Sequence, residues 1–252
     1  MNRFFVNSEN ILEDEQKIVI DEIEDIKHIT KVLRLSVGDE IEICNKAKVD
    51  YKAAISSLNK NEVVCEILEK NLSRTEAPVE ITLFQGIPKG SKMDLIIQKG
   101  VEVGVSKIVP FTSERCVVKI KDRKSEDKKI ERWQKIANEA AKQCKRGIIP
   151  RIGNVVDISN LRDILSGLDM VVMPYEEEKI SGIRKAITSR ENVKKIGIII
   201  GPEGGFASEE VLMAKEWGSI PVSLGPRILR TETAGLVTAS IIMYELGDLG
   251  GN

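Results

Sequence analysis

A strand that is apolar on both faces and breaks abruptly into glycine constrains this chain more than any other stretch. Ile196-Gly197-Ile198-Ile199-Ile200 reads as a fully buried strand, and it runs straight into Gly201-Pro202-Glu203-Gly204-Gly205-Phe206. Strands of this kind belong to parallel sheets covered by helices on both faces. Ser208-Glu209-Glu210-Val211-Leu212 then reads as a helix start, with Ser208 as its cap and two carboxylates where the helix dipole favours negative charge. Strand, glycine-rich turn and helix together let a ligand approach bare backbone. Taken alone, the Gly-Pro-Glu-Gly-Gly run fits a tight turn equally well. A second loop, Ser223-Leu224-Gly225-Pro226-Arg227-Ile228-Leu229-Arg230-Thr231-Glu232-Thr233-Ala234, shifts the balance. It combines a Gly-Pro turn, two arginines three apart and a Thr-Glu-Thr leading into a helix. Two such loops, expected at the ends of neighbouring strands, suggest one small-molecule pocket made mostly of main chain.

The rest of the chain alternates strands and helices from Pro78 onward. Ile81–Phe84, Ile108–Phe111, Met170–Met173, Ile196–Ile200 and Val222–Leu224 read as strands. Ser91 opens a helix with Asp94 in capping-box position, and Met93, Ile96, Ile97 and Val101 supply its apolar stripe. The fold class is therefore α/β with a mostly parallel sheet. Residues up to about Leu72 are different. Glu40–Cys44, Tyr51–Ile55 and Glu62–Ile67 are strand candidates, a short helix over Ile26–Leu35 precedes them, and Ala234–Leu246 is an apolar helix at the other end of the chain. The polar stretch Asn71–Pro78 is the best linker, so the expected domains are 1–72 and 73–252.

At 252 residues, 42% hydrophobic and 31% charged, the composition is that of a soluble globular protein. No membrane span or signal peptide is apparent, and a cytoplasmic protein is expected. Cys44, Cys65, Cys116 and Cys144 are scattered without a Cys-x-x-Cys pair, and His28 is the only histidine. That argues against a metal site and against a Ser-His-Asp triad. The net charge of −1 conceals an asymmetry: Arg115 to Arg151 carries 13 Lys or Arg against 5 Asp or Glu, a local +8 that leaves −9 for the remainder. Such a run is either a footprint for nucleic-acid phosphates or the solvated face of a helix whose buried stripe is Ile130, Trp133, Ala137, Ala140, Ala141 and Cys144. On charge alone both readings stay open.

The two glycine loops resemble those of the SPOUT class of RNA methyltransferases. Further stretches are similar to one family of that class, the bacterial 16S ribosomal RNA uridine N3-methyltransferases (RsmE family). They are Lys31-Val32-Leu33-Arg34-Leu35 with Gly38-Asp39, Gly86-Ile87-Pro88-Lys89-Gly90, Lys99-Gly100-Val101-Glu102-Val103-Gly104, Ser113-Glu114-Arg115-Cys116, Arg132-Trp133, and Ala140-Ala141-Lys142-Gln143-Cys144-Lys145-Arg146. The resemblance covers nearly the whole chain. It implies a PUA-like RNA-binding barrel, then a methyltransferase domain with a C-terminal trefoil knot, S-adenosylmethionine as cofactor, 16S rRNA or the 30S subunit as partner, and a homodimer. It also implies that Met173-Pro174-Tyr175 forms a third loop at the site.

On that footing the cofactor residues are Met173, Pro174, Ile200, Gly201, Pro202, Gly205, Leu224, Gly225, Ile228, Leu229 and Arg230. Arg230 and Glu232 are the catalytic candidates. Uridine N3 must lose a proton as it attacks the methyl group, and a fixed cation beside the flanking carbonyls would stabilise the resulting anion. Arg230 suits that role unless it is paired with Glu203 or Glu232, which are also the only bases within the motifs. The candidate RNA contacts are Arg3, Arg34, Lys89, Arg115, Lys121, Arg123, Lys124, Lys145 and Arg146. Two other classes compete: a non-catalytic RNA-binding ribosome assembly factor, and a nucleotide-phosphate enzyme using Gly204-Gly205 as an anion cradle. The latter lacks any Gly-Lys-Ser/Thr sequence.

Overall fold

The computed structural model describes residues 2–118, 122–190, 192–246 and 248–250. They form two compact units, one of Met1–Glu76 with Ala141–Ile149, the other of Ala77–Ala140 with Pro150–Asn252.

The first unit contains strands β1 (Arg3–Phe5), β2 (Ile11–Leu12), β3 (Lys17–Ile20), β4 (Glu40–Cys44), β5 (Val49–Leu58) and β6 (Val63–Leu72), and helix α1 (Ile23–Lys27). They make one sheet in the order β1-β4-β5-β6-β3-β2, antiparallel except for the β1–β4 pair. Period-2 alternation drives it: Ile41 and Ile43, Tyr51, Ala53 and Ile55, Val63 and Cys65, and Ile18 and Ile20 all turn inward into one core. The helix expected over Ile26–Leu35 is shorter and irregular. α1 passes into a π-helical turn at His28–Val32, and Arg34 stands at φ 54°. Ile26 and Ile29 are buried, but Val32 is exposed because the wider turn rotates it away from the core.

The second unit contains β7 (Glu80–Gly86), α2 (Lys92–Glu102), β8 (Lys107–Thr112), α3 (Arg123–Gln143, its last turn counted with the first unit), β9 (Arg151–Ile152), β10 (Val156–Asp157), α4 (Leu161–Leu165), β11 (Met170–Pro174), α5 (Ile183–Thr188), β12 (Lys195–Ile200), α6 (Ser208–Glu216), β13 (Ile220–Val222) and α7 (Thr231–Glu245). The sheet order is β10-β8-β7-β12-β11-β13, with β9 also on β8, and every pairing is parallel. β12 lies between β7 and β11, which is why its isoleucines are buried on both faces. α7 packs against α2, α5 and the β7–β12 face.

Three local expectations need correction. β12 and β13 are not neighbours, because β11 is inserted between them. Ser208 is the first residue of α6 and not its cap; the free N–H of Ala207 is taken instead by the side chain of Glu210, at 2.8 Å. Asp94 does not close a capping box with Ser91, since its carboxylate turns to Arg132, 2.6 Å away.

Candidate cofactor pocket

Parallel strands end on the same side of a sheet, so the loops leaving β11, β12 and β13 converge. They enclose a cavity of about 520 Å³. Pro174-Tyr175-Glu176 follows β11, Gly201–Phe206 follows β12, Ser223–Thr231 follows β13, and Lys92 and Ala234 complete the wall. The volume falls in the range of small-molecule sites, about 300–1,000 Å³.

The first loop is shaped by glycine. Gly205 has φ +68°, and a Cβ there would stand 2.9 Å from Glu176 Oε1. Its N–H donates to Pro202 O at 2.9 Å, closing the turn. A Cβ at Gly201 would lie 3.1 Å from the Phe206 ring. Beneath the loop, Gly86 at the end of β7 lets Pro202 approach backbone to backbone; a Cβ there would meet Pro202 N at 2.7 Å. A buried polar chain then fixes the Gly201 carbonyl. Gln85 Nε2 donates to Thr231 Oγ1 at 2.8 Å, and that hydroxyl donates to Gly201 O at 2.6 Å. Strand β7, the first loop and the start of α7 are thus joined through one threonine. From the other side, Arg115 donates to Gly204 O at 3.1 Å, and buried Glu210 accepts the N–H of Glu114 at 2.8 Å.

Of the expected cofactor residues, Pro174, Ile200, Gly201, Pro202, Gly205, Leu224, Gly225, Ile228, Leu229 and Arg230 line the cavity. Met173 does not. Its side chain is fully buried in the hydrophobic core beside Ile199, Phe206 and Val211, because β11 turns every second residue away from the loop face.

Arg230 caps α7 with its backbone carbonyl, and its guanidinium has no side-chain partner among the described residues. The ion pairs that could have neutralised it are made by Lys92 instead. Lys92 Nζ lies 2.9 Å from Glu203 Oε1 and 3.3 Å from Glu232 Oε2. Glu232 is therefore turned toward Lys92 and does not line the cavity. The bond to Glu203 raises the Lys92 pKa above its ordinary value. Burial alone would push the Glu203 carboxyl up, but hydrogen bonds from Lys92 and from backbone N–H groups outweigh it and hold it below the usual range. Lys92 and Gln85 carry no motif of their own, whereas Thr231 opens the Thr-Glu-Thr of the second loop. The available signal was a glutamine closing the apolar run Ile81–Phe84, a position where a polar side chain must find a buried partner.

The expected RNA contacts divide. Arg34, Lys89, Arg123 and Lys124 are exposed, and Arg115 sits at the cavity through its bond to Gly204. Arg123 also borders a polar cavity of about 590 Å³ with Asp122, Glu126 and Asp157. Lys121 lies outside the described residues. Arg3 and Arg146 are corrections: both are buried and form ion pairs within the first unit. Arg3 pairs with Asp50 at 2.5 Å and donates to Arg146 O at 3.0 Å. Arg146 forms two 2.8 Å bonds with Glu76, which also accepts the N–H of Gly147. Lys145 pairs with Glu42 at 3.1 Å. These bonds, with Lys142 on Asp25 at 2.6 Å, hold the segment Ala141–Ile149 in the first unit.

Among the described residues no helix is long and apolar enough to cross a membrane, and no cluster of His, Cys, Asp and Glu could hold a metal.

Comparison with known proteins accounts for both units. Residues 75–243 match the family model of an RNA methyltransferase domain, and residues 20–68 match an RNA methyltransferase PUA domain. The ribosomal RNA small subunit methyltransferase E of Bacillus subtilis is 38% identical over 233 residues, 91% of either chain. This chain belongs to the ribosomal RNA small subunit methyltransferase E family. The Buchnera aphidicola (strain APS) member is 37% identical, covering 88% of this chain and 85% of its own. The Neisseria gonorrhoeae member, solved bound to S-adenosylmethionine, superposes with a TM-score of 0.84 at 30% identity, covering 99% and 100% of the two chains. A putative methyltransferase from Legionella pneumophila, in complex with the same cofactor, matches with a TM-score of 0.84 at 30% identity over 96% of each chain. The architecture is thus that of this family, a PUA-like sheet preceding a mostly parallel α/β sheet.

Proposed function

We propose that this protein transfers a methyl group from S-adenosylmethionine to N3 of a uridine in 16S rRNA of the small ribosomal subunit. The carrying observation is the main-chain-lined cavity at the ends of β11, β12 and β13, in a chain whose relatives bear that enzyme's name and include one solved with the cofactor. Backbone groups of Gly201, Leu224 and Ile228 suit an adenine edge, and Ile200, Leu224 and Leu229 suit its faces. Arg230, unpaired at the cavity wall, is the cation we assign to the anion that develops on the uracil. Glu232 acts through Lys92 in this reading. Arg34, Lys89, Arg115, Lys121, Arg123, Lys124 and Lys145 are the proposed RNA contacts, and residues 1–72 and 73–252 the RNA-binding and methyltransferase domains.

The same reading includes a trefoil knot in the C-terminal part; the strand order β7-β12-β11-β13 and the bond from Thr231 back to Gly201 are compatible with it. It includes a cytoplasmic homodimer as well. The test is direct. Purified protein, cofactor and 30S subunits from a strain lacking the enzyme should yield 3-methyluridine in 16S rRNA, read by nucleoside mass spectrometry. Cofactor binding without any methylated nucleoside would sink the proposal, and neither binding nor methylation would leave an assembly factor.

A further inference from the structure

We infer that Lys92 is a second anion-stabilising residue of the reaction, donating to a carbonyl oxygen of the uracil. This rests on the methyltransferase reading above. Lys92 opens α2, lines the cavity, and is held between Glu203 of the first loop and Glu232 of α7. An ammonium has three N–H donors. One goes to Glu203 at 2.9 Å and one faces Glu232 Oε2 at 3.3 Å. The third donor is left for whatever occupies the cavity.

The two carboxylates decide what that occupant can be. They hold Lys92 charged above the ordinary lysine pKa, so it cannot be the base that takes the N3 proton. They also repel a third full carboxylate, such as the cofactor's own tail, which unpaired Arg227 is placed to receive. A uracil carbonyl is neutral in the ground state and gains charge only as N3 loses its proton. A donor fixed beside it therefore acts mainly on the transition state. The chemistry balances: the N3 electron pair forms the new N–C bond, the C–S pair returns to sulfur as a thioether, and the N3 proton leaves to solvent.

The experiment compares wild type with Lys92→Met, Lys92→Gln and Lys92→Arg, at saturating cofactor and RNA, from neutral to alkaline pH. Lys92→Met and Lys92→Gln should lose on the order of 100-fold in kcat at neutral pH. Cofactor Kd should stay within about twofold, less than the tenfold that 1.4 kcal/mol would produce. Their deficit should shrink as pH rises, because alkali replaces the acidity that Lys92 lends to N3. It should shrink too on RNA carrying 5-fluorouridine, whose N3 proton is more acidic. Lys92→Arg should keep most of the rate and the wild-type profile. A deficit that is flat with pH and unmoved by 5-fluorouridine overturns the inference, as does a loss confined to cofactor Kd. A wild-type enzyme that makes no 3-methyluridine overturns the functional reading itself, and this one with it.

Discussion

Replacing Gly86 by alanine should disable the cofactor pocket without altering any residue that lines it. The new Cβ would stand 2.7 Å from both Pro202 N and Pro202 Cδ, and 3.0 Å from Gly201 C. Ordinary carbon contacts are about 3.5–4.0 Å, so roughly 1 Å of movement is demanded. Neither side yields cheaply. Gly86 is in register with Phe111 on β8, and its neighbour Gln85 with Ile200 on β12, so the strand is held on both edges. The loop must therefore move. Overpacking of this kind costs about 1–3 kcal/mol. Shifting Gly201 also strains the 2.6 Å bond from Thr231, a further ~0.5–1.5 kcal/mol. A combined cost of about 2–4 kcal/mol corresponds to a roughly 30- to 1,000-fold change in an equilibrium constant. Whatever the loop absorbs by moving appears in the Kd for S-adenosylmethionine, measured by isothermal titration. Whatever stays as strain lowers the urea midpoint. A Gly86→Ala protein with cofactor Kd within twofold of wild type and an unchanged midpoint would refute the reasoning, since the backbone contact would then carry no constraint.

Other substitutions probe separate parts of the molecule. Arg230→Ala should lower kcat by about 2–4 kcal/mol of transition-state stabilisation while sparing cofactor affinity; methylation at the parent rate would remove Arg230 from the mechanism. Glu76→Ala strips the partner from buried Arg146 and from the Gly147 N–H. It should cost about 3–5 kcal/mol in urea unfolding, and a loss below 1 kcal/mol would show that the pair contributes little. Burial pushes the Cys44 thiol up to about 11 and the Cys65 thiol up to about 12. Both should therefore resist thiol reagents at mildly alkaline pH until the protein unfolds. Because the folded values are raised, their contribution to stability is present below the unfolded thiol pKa, about 8.5, and is lost as pH climbs above it. Rapid native-state labelling of Cys65 would contradict this.

The sheet core and the two glycine loops could be read in advance because their signals are local. The β12 isoleucines, buried on both faces, demand a central strand, and Gly205 at φ +68° demands glycine wherever the turn lies. The α3 stripe of Trp133, Ala137, Ala140 and Ala141 is buried as its 3.6-residue period requires. Charge was legible as a count but not as an allocation. Arg146 and Arg123 belong to the same basic run, yet one is sealed against Glu76 and the other is exposed. Nothing in the run distinguishes them, because the carboxylate that claims Arg146 lies 70 residues away in the chain.

By itself the sequence determined the period of each element, the places where backbone must be bare, and, through resemblance, the family. Only the tertiary structure inserted β11 between β12 and β13, sent Met173 into the core while Pro174 faced the pocket, and put Lys92 between the two glutamates that could otherwise pair with Arg230. The physical reason is one of range. Periodicity and turn chemistry act over a few residues, whereas strand order and the partner of each charge are settled by contacts between segments brought together only when the sheet assembles.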